Sequence, residues 1–170
     1  MAGIKMGDQV LQLGCRGPGM LAALALQVGL SGRACAVAET EEAASRVRKA
    51  AAKAGALVDI QIAPFHDLPH ADALFNLVIL REVIASMRPY DRAACLQDVR
   101  RVLAGGGRCL IIEWAERGGL GVLFSKRFVD PVYWRSGGAE RALQVEGFKP
   151  VRRLAESDGL VFIEGVRPWR

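Results

Sequence analysis

Short apolar runs alternate with amphipathic stretches along almost the whole chain. Runs near 9–13, 33–38, 57–63, 74–81, 107–114, 149–155 and 159–166 predict strands, and stretches near 19–30, 41–54, 90–103 and 136–146 predict helices. Each of the first five runs is short and apolar, the pattern of strands covered on both faces. Boundary signals agree with the periodicity. Thr40 ahead of Glu42 and Ala43 predicts an N-cap, and Gly55 stands where that helix should stop. Pro89 and Asp91 open the third long helix, and Gly105-Gly106-Gly107 predicts the turn into the next strand. Ser157-Asp158-Gly159 reads as the turn of a closing hairpin. Five α/β alternations followed by a hairpin predict an α/β fold, a doubly wound, seven-stranded, mostly parallel sheet with one antiparallel strand at an edge. A ligand crevice is expected beyond the carboxyl ends of the central strands, where strand order reverses.

Composition narrows the picture without changing it. A chain of 170 residues is expected to form a single domain spanning 1–170. Hydrophobic residues at 51% against 24% charged exclude a disordered chain. No apolar stretch reaches the roughly 18 residues that span a bilayer. Met1 to Gly7 lacks the apolar block of a signal peptide, so the cytoplasm is the expected location. The four cysteines show no metal-type pairing such as C-x-x-C, and His66 and His70 are the only histidines, so no metal site is expected. The net charge of +5 leaves room for an anionic partner. The basic residues are nevertheless spread over helix faces and strand ends, which favours solvated surface.

The chemistry concentrates in Val10-Leu11-Gln12-Leu13-Gly14-Cys15-Arg16-Gly17-Pro18-Gly19, a strand feeding a helix through glycines. Such a turn brings backbone amides close to a nucleotide-like ligand, and glycine leaves no side chain in the way. Other constellations carry less. His66, Asp67 and His70 read either as an acid/base or metal cluster or as a solvated loop. Glu82 and Glu113-Trp114, at strand ends, either face the crevice or close the sheet. Asp130-Pro131-Val132-Tyr133-Trp134 is similar to the motif with which nucleic-acid amino-methyltransferases grip a base, but it follows the fifth strand and not the fourth. No ladder of aromatic and basic residues supports single-strand stacking, so nucleic acid is not the expected partner. The spacing G-x-G-x-x-G of a nicotinamide-dependent dehydrogenase is absent.

In several stretches the chain resembles the class I S-adenosylmethionine-dependent methyltransferases, in particular the quinone-biosynthesis and related small-molecule branch. The resemblance rests on the lead-in Ile4 to Leu11, the loop Gly14 to Gly19, and Asp67-Leu68-Pro69 with Phe75-Asn76-Leu77-Val78. It continues through Arg100-Arg101-Val102-Leu103-Ala104-Gly105-Gly106-Gly107-Arg108 and Glu146-Gly147-Phe148. It implies a Rossmann-like fold, S-adenosylmethionine as cofactor, and methyl transfer to a small-molecule acceptor by in-line displacement. Gly14, Cys15, Gly17 and Gly19 would line the methionyl end, Gln12 would also belong to the cofactor site, and Glu39 would take the ribose. Phe65, His66 and Asp67 would frame the adenine, while Leu80 and Arg81 would border the transferring methyl. Catalytic candidates are His66, Arg81 and Glu113.

Several positions depart from the family pattern. Gln12 and Asn76 stand where acidic residues are usual, and Arg16 stretches the glycine spacing to G-x-x-G-x-G. Ala38 aligns with the ribose-binding acid, so Glu39 takes that place only if the strand end slips by one residue. The third strand leads into Ala63-Pro64-Phe65 where a Gly-Asp-Ala-like turn is usual. A domain that binds partners without catalysing is therefore the alternative reading, and Arg16 or Pro64 filling the cofactor's space would decide for it. Relatives carry N-terminal helices over the crevice, and no such cap is expected here. The loop-rich insertion at 115–138, with Leu120, Val122, Leu123, Phe124, Phe128, Tyr133 and Trp134, is expected either as a lid or interaction surface or as a local mini-core. A homodimer or a partner protein would equally cover an open crevice.

Overall fold

The computed structural model describes residues 3–115 and 131–169. The elements run β1 (Gln9–Leu13), α1 (Pro18–Val28), β2 (Arg33–Ala38), α2 (Glu41–Ala54), β3 (Asp59–Ile62) and β4 (Phe75–Arg81). A 3-10 turn (Ile84–Ser86) precedes α3 (Pro89–Val102) and β5 (Leu103–Trp114). The chain closes with α4 (Pro131–Arg135), α5 (Gly138–Val145), β6 (Val151–Ser157) and β7 (Leu160–Val166). The seven strands form one sheet in the order β3-β2-β1-β4-β5-β7-β6. All neighbouring pairs from β3 to β5 are parallel. The predicted hairpin supplies the reversed strand, β7, which pairs antiparallel with both β5 and β6. The reversed strand thus lies one place in from the margin, and β6 forms the edge itself.

Side-chain alternation along the central strands builds the two faces. Leu77 and Ile79 of β4 pack with Val10 and with Met20, Leu24 and Val28 of α1. Val78 and Leu80 point the other way, into the cluster holding Leu11, Leu13 and Leu96 and Val99 of α3. Both faces are sealed by helices, which is why these strands read as unbroken apolar runs.

The caps follow the sequence signals. Thr40 Oγ1 accepts a hydrogen bond from the Ala43 amide at 3.2 Å, and Gly55 ends α2 in the left-handed region. Pro89 occupies the first position of α3, where its missing amide is harmless. The glycine run 105–107 differs from expectation because it lies inside β5. Leu103 already pairs with Phe75, and the register then slips, so Leu77 faces Arg108. Gly106 takes φ +73° in this irregularity. The backbone of Arg167 exchanges hydrogen bonds with Gly106 and Gly107, keeping the irregular segment within the sheet.

Candidate functional site

The strand order reverses between β1 and β4, and a cleft of about 590 Å³ opens beside that point. Its size falls in the range of small-ligand sites, roughly 300–1,000 Å³. One wall is the loop after β1 with Gly14, Cys15 and Arg16, and another is the start of α2 with Ala38, Glu39, Thr40 and Arg46. Phe65 and His66 close a third side, and the segment from Arg81 to Asp91 supplies the fourth.

Gly14, Cys15, Glu39, Phe65, His66 and Arg81, all anticipated from sequence, therefore line a common space. Glu39 is exposed to it directly after β2. Ala38, which aligns with the family's acid, is fully buried. Gln12 and Leu80 stand behind the cleft with no exposed surface. The Gln12 side-chain amide donates to the Gly14 carbonyl at 2.8 Å, so it braces the loop from within. Gly19 is open to solvent and Asp67 is exposed outside the lining. Neither Arg16 nor Pro64 fills the cleft. Arg16 is half exposed and reaches Glu82 at 3.7 Å, and Pro64 lies outside the lining.

The glycines are required by close approach as well as by backbone angle. Gly14 has φ +81°, and a methyl group added there would lie 2.6 Å from Val83 Cγ2. Gly17 has φ +62°, and a methyl group there would lie 2.5 Å from the Arg81 guanidinium carbon. The end of β4 is thus pressed against the loop after β1. Glu82, the next residue, has φ 54°, which a residue with a side chain rarely adopts. Its amide donates to the Ile112 carbonyl at 2.8 Å, and its carboxylate accepts from Trp114 Nε1 at 2.9 Å. Those contacts hold the unusual conformation. Burial pushes the Cys15 thiol upward despite nearby Arg46, so it is not a ready nucleophile.

Sequence reasoning missed Arg46, Met87, Arg88 and Asp91 in the lining. The usable signal was topological, since segments following β2 and β4 must border the crevice. His70 does not join His66. Its ring meets Phe75 edge-on at 5.0 Å, and burial holds its pKa below the usual value. Among the described residues no cluster of His, Cys, Asp and Glu could hold a metal ion, and all four cysteines are free and buried.

Glu113 occupies a separate, sealed place at the end of β5. It is 2% exposed, and the Tyr133 hydroxyl approaches both its carboxylate oxygens at 2.9 Å. Arg92 lies 4.2 Å from the Tyr133 ring centroid and donates to the carbonyls of Ile84 and Met87. Burial raises the Glu113 pKa to about 7, against the opposing pull of the Tyr133 hydroxyl, the Ala139 amide and Arg92. Burial and the adjacent carboxylate push the Tyr133 phenol far up, so it stays a donor. Of the predicted insertion, Tyr133 is thus a core residue. Leu120, Val122, Leu123, Phe124 and Phe128 lie outside the described residues.

Residues 11–111 match the family model described as a methyltransferase domain. The chain belongs to the methyltransferase-domain family. S-adenosylmethionine is the cofactor of these class I methyltransferases, and the seven-stranded sheet is their fold. A crystal structure of a SAM-dependent methyltransferase from Aquifex aeolicus superimposes with TM-score 0.75 at 21% identity, covering 97% of this chain and 85% of that one. A SAM-dependent methyltransferase from Methanosarcina mazei gives TM-score 0.68 at 18% identity, over 98% and 95% of the two chains. Likeness at such identity speaks for the methyltransferase fold. A 37.1 kDa protein in transposon TN4556 of Streptomyces fradiae is 32% identical over 108 residues, which are 63% of this chain. The match spans only 30% of that protein's length. No described helix of this methyltransferase-family chain is long and apolar enough to cross a membrane.

Proposed function

We propose that this chain binds S-adenosylmethionine in the cleft between β1, β2 and β4 and transfers its methyl group to a small-molecule acceptor. The observation that carries the reading is the gathering of the glycine loop, Glu39, Phe65 and Arg81 around one cleft at the strand-order reversal. The residues present suit the cofactor. Gly14 leaves the loop backbone bare, Glu39 offers a carboxylate to ribose hydroxyls, and Phe65 and His66 flank the adenine. Arg81 offers a guanidinium whose Nε is buried and lacks a hydrogen-bond partner among the described residues, a group suited to an anionic tail.

When bound, S-adenosylmethionine supplies a methyl group on a positively charged sulfur. The protein's part is to align that methyl with the acceptor, and positioning alone can supply much of the acceleration. His66, exposed on the cleft wall, is the group placed to accept a proton from an acceptor hydroxyl. Glu113 does not line the cleft and serves the core. The reading extends to a cytoplasmic location and to a second copy or a partner protein closing over the open cleft.

Isothermal calorimetry with S-adenosylhomocysteine tests the proposal. Micromolar binding is expected, and silence at millimolar ligand would sink it. Gly17→Val places a branched side chain in the space now held by the Arg81 guanidinium and should abolish the binding. Unchanged affinity would place the cofactor elsewhere.

A further inference from the structure

Arg81 differs from its neighbours Arg16 and Arg92. Arg16 has Glu82 as its counterion, and Arg92 donates to backbone carbonyls. The Arg81 guanidinium instead rests on Gly17, and Nη1 reaches the Met20 thioether at 3.7 Å, a weak acceptor. Its Nε is buried without a hydrogen-bond partner among the described residues. A buried charged donor left unmatched is unfavourable, and a carboxylate is the acceptor that best matches a guanidinium. On the neighbouring strand, Gln12 stands where the resemblance leads one to expect an acid. Its amide nitrogen donates to the Gly14 carbonyl, and its Oε1, buried without a partner among the described residues, carries no charge. This end of the cleft therefore holds a guanidinium with no counterion among the described residues, while Glu82, the lining carboxylate next to it in the chain, is already engaged by Arg16 and Trp114.

We propose that Arg81 is the anchor for the carboxylate of the methionyl tail, and that the tail subsite reads this carboxylate in preference to the ammonium beside it. The inference rests on the cofactor reading above. It makes the chain selective within one ligand class. An adenosyl thioether that keeps the carboxylate and lacks the amine is accepted, and one that keeps the amine and lacks the carboxylate is rejected.

Calorimetry with three probes decides it: S-adenosylhomocysteine, its deaminated analogue and its decarboxylated analogue, each against wild type and Arg81→Gln. In wild type, losing the carboxylate should weaken binding by about tenfold or more, whereas losing the amine should cost no more than about threefold. In Arg81→Gln, S-adenosylhomocysteine should drop by about tenfold and the decarboxylated probe should be nearly unchanged, so that the two converge. Arg81→Lys keeps the charge without the two-pronged geometry and should fall between. Equal losses for all three probes would make Arg81 a structural residue and overturn the inference. Tighter binding of S-adenosylhomocysteine by Arg81→Gln would show the guanidinium blocking the tail's space, and would overturn it too. In both cases the cofactor reading survives. Failure of all three probes to bind wild type would remove that reading, and this inference with it.

Discussion

Two groups of polar side chains stand at the same end of the sheet and have opposite fates. The cleft beside β1 and β4 is open, and Arg81 within it keeps a buried donor unmatched among the described residues. The Glu113–Tyr133–Arg92 group beyond β5 is sealed, and its carboxylate, phenol and guanidinium are all hydrogen-bonded. A matched buried network stabilises a unique core, whereas an unmatched donor in a cleft awaits a partner from outside. Within this pair, satisfaction of the polar atoms separates the core group from the proposed binding cleft, although Gln9, His70 and Arg100 keep unmatched buried atoms elsewhere among the described residues. The carboxylate with the shifted pKa belongs to the core group.

The largest way to break the contrast is to empty the sealed group. Tyr133→Ala removes a fully buried ring and the donor to Glu113, so urea denaturation should show a loss of about 3–5 kcal/mol. Binding of S-adenosylhomocysteine by the fraction still folded should change far less. A binding loss without a stability loss would assign Tyr133 to the ligand site. A smaller effect concerns pH. The folded chain holds the Glu113 proton up to about pH 7, whereas the unfolded chain releases it near 4.5, its ordinary value. The stability this proton brings is complete below about pH 4.5 and is lost as pH rises through 7. The span is about 2–4 kcal/mol. In Glu113→Gln, unfolding curves should lose that part of the pH dependence. A mutant profile as steep as wild type between those limits would remove Glu113 as the source.

The smallest effect sharpens the contrast from the cleft's side. Glu39→Gln keeps an acceptor but removes its charge, so affinity for S-adenosylhomocysteine should fall about three- to tenfold. The melting temperature should stay put, because the side chain is exposed. Unaltered affinity would move the ribose contact away from Glu39.

Much of this arrangement was legible in the chain itself, for local reasons. Apolar runs, the Thr40 cap, Gly55 and the closing hairpin each act through neighbours in sequence, and the elements they mark are present. The short helix Pro131–Arg135 was not legible, because five residues carry no period. Gly105–Gly107 misled as a turn because the bulge depends on how β5 registers with β4. The site shows the same boundary. Strand ends and glycines located the cleft, since topology places both there. The partner of Gly17 did not follow from sequence. Its meeting with Arg81 depends on the β1–β4 register, where Leu13 sits beside Leu80, two residues far apart in the chain. Side-chain parity does account for Leu80 itself, which shares a face with Val78 and faces α3.

Glu82 turns this geometry into a design conflict. A left-handed backbone at a residue with a side chain costs roughly 1–2 kcal/mol, which makes the position an obvious choice for anyone engineering heat resistance by glycine replacement. The same replacement would delete the carboxylate that joins Arg16 on one side to Trp114 on the other. A gain in melting temperature would then come with a looser rim, so robustness and precision are opposed at this one residue.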